Sequence, residues 1–263
     1  MSTVIFVPAR YASSRYPGKP LVNIRGKNDG VKTLIHRSWE AAMAVDGVDA
    51  VCVLTDDARI EAETLRFGGN VIMTSASARN GTERCAEAVA KLGFEPEIII
   101  NLQGDSPLTP AWFVEDLVRE MQREPGVMAA TPVLECDEST LDSFLTDRKN
   151  GLVGGTTCVM NAQNEALYFS KEVLPYVAPD KSKAERPRVY HHVGVYGYRP
   201  QALLTYLDAP EGLLERAEGL EQLRFLEVGV PIKCVEVDSR GQEFWELNNP
   251  VDLQRIENIL MRR

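Results

Sequence analysis

Val4-Ile5-Phe6-Val7-Pro8-Ala9-Arg10-Tyr11-Ala12-Ser13-Ser14-Arg15-Tyr16-Pro17-Gly18-Lys19-Pro20-Leu21 runs from an apolar strand straight into a loop that carries three cations. Open α/β sheets bind ligands at the carboxyl ends of their strands. Here Arg10, Arg15 and Lys19 supply fixed positive charge, Ser13 and Ser14 supply hydroxyls, and Gly18 permits a turn that larger residues resist. The segment reads as a cradle for a polyphosphate.

Outward from this loop the chain keeps a βα rhythm. Apolar, β-branched runs at residues 4–7, 50–54, 97–101 and 127–133 alternate with helix-like segments at 33–45, 58–67, 81–92 and 110–122. That alternation predicts a doubly wound, mostly parallel α/β sheet, with the loops after Val7 and Leu102 on one edge. Beyond residue 135 the rhythm changes. Residues 136–152 are polar and turn-rich, strand-like runs follow at 156–160, 166–169 and 190–198, and a helix pattern covers 213–226. These features predict a smaller mixed α/β lobe: residues 1–135 form the nucleotide-binding core, 136–230 the second lobe, and 231–263 a return strand and final helix. The charged stretch 178–188 reads as an exposed loop suited to a lid. Asn249 is expected to cap the last helix, with Pro250 at its first position.

Composition narrows the partners. The 263 residues are 44% hydrophobic, enough for a sizeable core, and the formal net charge is -9. Nucleic acid and anionic membrane surfaces require a basic face, so neither is an expected partner. The basic loop is a local exception. Five scattered cysteines without CxxC pairing, and no leader-like or membrane-length apolar run, predict reduced thiols in a cytoplasmic protein. A GxGxxG fingerprint is missing after the first strand, which disfavours a nicotinamide dehydrogenase. Gly26-Lys27-Asn28-Asp29-Gly30-Val31-Lys32-Thr33 has the wrong spacing for a P-loop and reads as a turn leading into a helix.

Asp105 follows the strand-like Ile98-Ile99-Ile100 and a Gln103-Gly104 turn, a hard carboxylate at a strand exit, suited to magnesium. Gln103 is placed to hydrogen-bond ribose or base, and Arg84 to meet a base carbonyl or a phosphate; the residues alone do not choose between these. Nucleotidyl transfer joins two anions, so cations must neutralise a triphosphate while an oxygen attacks phosphorus in line.

With these residues quoted, the chain resembles the 3-deoxy-manno-octulosonate cytidylyltransferase (CMP-Kdo synthetase) family of lipopolysaccharide assembly, over nearly its whole length. The carrying segments are Pro8-Ala9-Arg10 through Leu21, Gly81-Thr82-Glu83-Arg84, Asn101-Leu102-Gln103-Gly104-Asp105, Ala166-Leu167-Tyr168-Phe169-Ser170, His192 through Arg199, and Leu220-Glu221-Gln222-Leu223-Arg224. The resemblance implies a nucleotide-diphospho-sugar transferase type of fold and a homodimer. It implies an enzyme that joins CTP to a Kdo-like 2-keto-3-deoxy sugar acid, giving a CMP-sugar and pyrophosphate. It also implies roles: Lys19, Arg10 and Asp105 catalytic; Arg10, Ser13, Arg15, Lys19, Arg84 and Gln103 on the nucleotide; Lys171, His192, Tyr196, Glu221 and Gln222 on the acceptor; and Asp105 on Mg2+.

The chain departs from the family pattern at several points. Asn248 stands where relatives carry a second, metal-holding aspartate, so either Asn248 or the nearby Glu246 is expected to help Asp105 hold the ion. Ser106, Thr157 and Lys171 replace a family glutamate, lysine and arginine. Lys171 keeps the charge but loses the arginine fork, which leaves the acceptor open to a variant of Kdo.

Plainer readings stand beside these. Asp105 can cap a turn, Arg84 can pair with a surface acid, and His192 can be a core histidine. Glu221 and Gln222 can face solvent, and Asn248 and Asn249 can serve only the helix start. At the level of function, another nucleotidylyltransferase with a different acid acceptor, or a non-catalytic nucleotide-sugar sensor, are the alternatives.

Overall fold

The structure, a computed structural model, describes residues 1–12, 16–153, 155–178 and 186–262. Ser13, Ser14 and Arg15 of the cradle, and 179–185 of the expected lid, lie outside the described residues.

The first half keeps the βα rhythm. β1 (Thr3–Pro8) leads through a short 3-10 turn at Lys19–Leu21 into the hairpin β2 (Asn23–Gly26) and β3 (Gly30–Thr33), then α1 (Leu34–Met43). β4 (Ala50–Thr55), α2 (Ala58–Arg66), β5 (Asn70–Met73), α3 (Gly81–Val89), β6 (Ile98–Leu102), α4 (Ala111–Arg123) and β7 (Ala129–Glu135) follow. The P-loop-like stretch is thus the turn of a hairpin. Beyond β7 come α5 (Glu138–Lys149), β8 (Thr157–Met160), β9 (Ala166–Ser170), β10 (Tyr190–His192), β11 (Val195–Tyr198), α6 (Pro200–Asp208), α7 (Leu213–Glu218), α8 (Leu223–Glu227), β12 (Ile232–Val237) and α9 (Asp252–Leu260).

Ten strands from all three stretches of the chain meet in one sheet, in the order β5-β4-β1-β6-β11-β7, with β12 along the far side of β7. β1 is parallel to β4 and β6, and β7 to β12, so the fold is a mixed α/β sheet that is mostly parallel, as the alternation predicts. β10 and β11 both run antiparallel to β7 along the same edge, but the register slips between them: His192 faces Val133, whereas Gly197 faces Ala130. The slip falls at Val193-Gly194, where Gly194 takes a left-handed φ of 70°. On its other side this bent strand borders β6 through β11 and the β8–β9 hairpin through β10. The sheet therefore forks where β6 ends, and the Gln103–Asp105 loop leaves from the fork.

Side-chain alternation builds a core on each face. Val4, Phe6 and Ile99 pack with Cys85, Tyr206 and Phe225 of α3, α6 and α8. Ile5, Val7, Ile98 and Ile100 pack on the other face with Ile35, Ile60 and Phe113 of α1, α2 and α4. All four cysteines in strands and α3 are buried, Cys136 is half-buried, and all five are free thiols. No helix among the described residues is long and apolar enough to cross a membrane.

Three local expectations are corrected. Residues 138–149 form a helix, capped by the Asp137 carboxylate on the Thr140 N–H, although only Leu141 and Phe144 are buried, a thin apolar stripe. The 213–226 pattern is two helices, broken where Gly219 adopts φ 62°. The last helix begins at Asp252 rather than on an Asn249 cap: the Asp252 carboxylate accepts the Asn248 and Asn249 N–H groups at 3.0 and 2.6 Å and the Trp245 indole N–H at 3.1 Å. The helix has no side-chain cap: Asp252 ties down the chain that leads into it, and the first helical N–H groups, of Asp252 and Leu253, donate to the Asn249 and Pro250 carbonyls at 3.0 and 3.3 Å.

Candidate active site

A cleft of about 240 Å3 opens at the exits of β1 and β6. Its walls are Pro8–Arg10 with Lys19 and Pro20, the rim 78–81 with Arg84, Gln103–Asp105, and Glu221. Two strand exits are sewn together beneath it, since the Gly104 N–H donates to the Pro8 carbonyl at 3.2 Å and the Ser38 hydroxyl to the Gly104 carbonyl at 2.9 Å. Six predicted residues, Arg10, Lys19, Arg84, Gln103, Asp105 and Glu221, meet in this one space.

The cations are held differently. Lys19 Nζ lies 2.6 Å from Asp105 Oδ2, with side chains 13% and 27% exposed. Arg10 is exposed, and its Nη1 donates to the Arg79 carbonyl at 3.3 Å. Arg84 is buried, donates to the Thr74 hydroxyl and lies 3.2 Å from Asp56 Oδ1, so it does pair with an acid while lining the cleft. Arg79, which sequence reasoning missed, adds a fourth charge on the rim. Its guanidinium is tied to Glu83 at 2.5–2.9 Å, and Glu83 in turn to the buried Arg224, which grips Glu215 through two nitrogens at 2.6 and 2.7 Å. This network fixes the rim 78–81 to α7 and α8. A signal for it existed: Asn80 caps α3 on the Glu83 N–H at 2.9 Å, the N-cap and N3 pattern of a helix start.

Gln103 is oriented by two partners, donating to Asn101 Oδ1 at 3.2 Å and to Glu221 Oε1 at 3.4 Å. The other Glu221 oxygen accepts the Thr82 N–H at 2.9 Å, and burial raises the Glu221 carboxyl above its ordinary range. Glu221 faces the cleft, not solvent. Asn101 was not singled out from sequence; it is fully buried, and in register it lies opposite Tyr196.

Beyond Glu221, on the same face of the sheet, His192, Tyr196 and Gln222 form a second, contiguous group that does not line the cleft. The Tyr196 hydroxyl donates to Gln222 Oε1 at 3.1 Å, and the His192 ring packs against Tyr196 and Phe169. His192 Nε2 and Gln222 Nε2 are buried without a hydrogen-bond partner among the described residues. Burial pushes His192 down to about 3, so the ring is neutral. Lys171 stands apart from both groups, with its Nζ beside Gly219 and its N–H bonded to Glu218.

Asn248 does not line the cleft either. Its amide donates to Glu246 Oε2 at 3.2 Å, while the Ser106 hydroxyl donates to Glu246 Oε1 at 3.4 Å. Glu246 is held to the Asp105 loop because the Leu247 N–H donates to the Asp105 carbonyl at 2.9 Å. Burial, and then the nearby Asp105 charge, push its carboxyl up to about 7. No group of three or more His, Cys, Asp or Glu side chains among the described residues forms a ready metal cage.

Residues 4–233 match the family model of the cytidylyltransferases. The chain is 40% identical over 260 residues to the 3-deoxy-manno-octulosonate cytidylyltransferase of Maricaulis maris, covering 99% of this chain and 97% of the relative. The enzyme of the same name from Parabacteroides distasonis is 37% identical over the full length of both. A solved structure described as CMP:2-keto-3-deoxy-manno-octonic acid synthetase complexed with CTP superposes with a TM-score of 0.83 at 36% identity, covering 99% of this chain and 98% of the other. The 4-diphosphocytidyl-2C-methyl-D-erythritol synthase of Anaerococcus prevotii, at 11% identity and a TM-score of 0.59, shares the fold alone. By sequence match along its whole length and by superposition, this chain belongs to the cytidylyltransferase family, among the 3-deoxy-manno-octulosonate cytidylyltransferases.

Proposed function

We propose that the protein transfers the cytidylyl group of CTP to a 2-keto-3-deoxy sugar acid of the 3-deoxy-manno-octulosonate type, releasing pyrophosphate. The observation that carries this reading is the convergence of Arg10, Lys19 and Arg84 with Asp105 in one cleft at the β1 and β6 exits of a chain whose net charge is -9. Arg10 meets only the Arg79 carbonyl, and Lys19 is held by a single carboxylate oxygen, so both are available to an anionic ligand. Arg10 and Lys19 neutralise the triphosphate as the anomeric oxygen bonds to the α-phosphorus and the bond to pyrophosphate breaks. Gln103 and the rim 78–81 orient the nucleoside.

For the acceptor, the support is the pair of buried nitrogens on His192 and Gln222. A buried donor or acceptor without a partner costs about 1–3 kcal/mol, so a polyhydroxylated ligand against them recovers that loss. Lys171 offers a positive charge further out. For Mg2+, two carboxylates without a closed cage fit an ion that keeps waters and takes its other oxygens from phosphates. We assign Asp105 and Glu246 to hold it, with the Asn248 amide orienting Glu246. When bound, the ion supplies further charge neutralisation on the triphosphate. A cytoplasmic homodimer acting in lipopolysaccharide assembly is part of the same proposal; the free cysteines support its first term, and light scattering tests the dimer.

A pyrophosphate-release assay tests the reaction, with four nucleoside triphosphates against a panel of 2-keto-3-deoxy acids. Release with CTP and 3-deoxy-manno-octulosonate is the expected result. Release with another triphosphate alone, or none with any acid, defeats the proposal and favours the other nucleotidylyltransferase or the sensor respectively.

A further inference from the structure

We propose that Lys19 is the internal counter-ion of the metal carboxylates: its ammonium and a divalent cation exclude each other at Asp105, and the ion is held firmly only after a triphosphate draws the ammonium away. This rests on the reading of Asp105 and Glu246 as the metal-holding pair. The geometry behind it is the 2.6 Å contact between Lys19 Nζ and Asp105 Oδ2, made by two largely sheltered side chains. Glu246 lies beside this contact through the Ser106 hydroxyl and the bond from the Leu247 N–H to the Asp105 carbonyl. An ion ligated by Asp105 shares one carboxylate charge with the ammonium, and two cations at one carboxylate repel at short range.

Among the described cations that line the cleft, the others are engaged elsewhere: Arg10 on a carbonyl, Arg84 on Thr74 and Asp56, and Arg79 on Glu83. The backbone of Lys19 is fixed, because Gly18 at φ 73° turns the chain into the 3-10 segment that Lys19 begins. Its four-carbon stem is not, and a rotatable ammonium changes partners more readily than a planar guanidinium fork does. The same group thus serves two anions in succession, first Asp105 and then the phosphates. The arriving nucleotide makes room for the ion that it brings.

The test measures Mn2+ binding without any turnover, by the electron paramagnetic resonance of free Mn2+, on nucleotide-free protein. Wild type is expected to bind weakly and Lys19→Met at least tenfold more tightly, with Lys19→Gln as the second variant if Lys19→Met does not fold. Arg10→Met removes the same charge from the cleft without freeing Asp105, and is expected to gain less than threefold. If the Lys19 variant binds no more tightly than wild type, or Arg10→Met gains as much, exclusion at Asp105 is overturned. Adding Asp105→Asn to Lys19→Met separates the two layers: loss of the gain supports both, whereas a retained gain places the ion elsewhere and overturns the metal-site reading itself.

Discussion

Gly104→Ala is the sharpest test of how the cleft is built. A Cβ at this position falls 2.6 Å from the Pro8 carbonyl oxygen and 3.3 Å from Ala9 Cβ. A carbon and a carbonyl oxygen in close contact sit about 3.3 Å apart or more, so the overlap is roughly 0.7 Å. Both sides are backbone, and no rotamer relieves it. The β1 and β6 exits must separate, stretching the Gly104 N–H bond to Pro8 and moving Asp105 away from Lys19. Overpacking of this kind costs about 1–3 kcal/mol, and a chain of this size loses about 2–4 °C of melting temperature for each of those kilocalories. An ångström-scale misplacement of reacting groups costs up to about a hundredfold in rate. Calorimetry and steady-state pyrophosphate release are therefore expected to show a melting temperature lowered by several degrees and kcat/KM for CTP lowered by about 10- to 100-fold. Gly93→Ala, where nothing lies within 4 Å of the added carbon, serves as the control and should change neither. A Gly104→Ala protein with wild-type melting and wild-type kcat/KM would refute the claim that a rigid backbone seam aligns the two halves of the site.

Other consequences are measurable. Arg224→Met strands the buried Glu215 carboxylate, and denaturant unfolding should show a loss of about 3–5 kcal/mol, most of it recovered by adding Glu215→Leu. His192 titrates near 3 when folded and near 6.5 when unfolded, so the unfolded chain binds the extra proton. Its contribution is therefore intact above pH 6.5 and lost as pH falls below it, by about 2 kcal/mol at pH 5; urea titrations at pH 7 and pH 5 should show His192→Phe to be the less acid-sensitive protein. Gln222→Leu should raise KM for the sugar acid at least fivefold and leave KM for CTP within twofold; equal effects on both would contradict the separate placement of the two groups.

Much of this was readable from sequence because the core obeys local rules. The runs at 4–7 and 50–54 alternate faces in a fully covered sheet, and the observed strands extend them by a residue or so. The cations after Val7 and the acid after Leu102 were legible for the same reason: parallel strand exits share an edge. What failed depended on contacts remote in sequence. Helix 138–149 buries only two side chains, so its periodicity is faint. Tyr190–Tyr198 reads as one strand, and only pairing with β7 reveals the slip at Gly194. Arg79 carries no mark of its own in the sequence, because only the Glu83–Arg224–Glu215 chain ties it to the rim. Glu246 is brought to the Asp105 loop by the bond from the Leu247 N–H to the Asp105 carbonyl and by the Ser106 hydroxyl, and no spacing rule foretells a contact across 142 positions.

The branching of the sheet at the end of β6 divides the labour of the molecule. The loops that carry Arg10, Lys19 and Asp105 belong to strands that are covered on both faces, while the β8–β9 hairpin is held from two sides, by β10 at Tyr190 with Cys158 and His191 with Thr157, and by β12, where Glu165 bridges Lys233 and the Cys234 N–H donates to the Asn164 carbonyl at 2.7 Å. A change in the hairpin is therefore passed first to β10 and β12, at the far end of the sheet from the Gly104–Pro8 seam between β6 and β1.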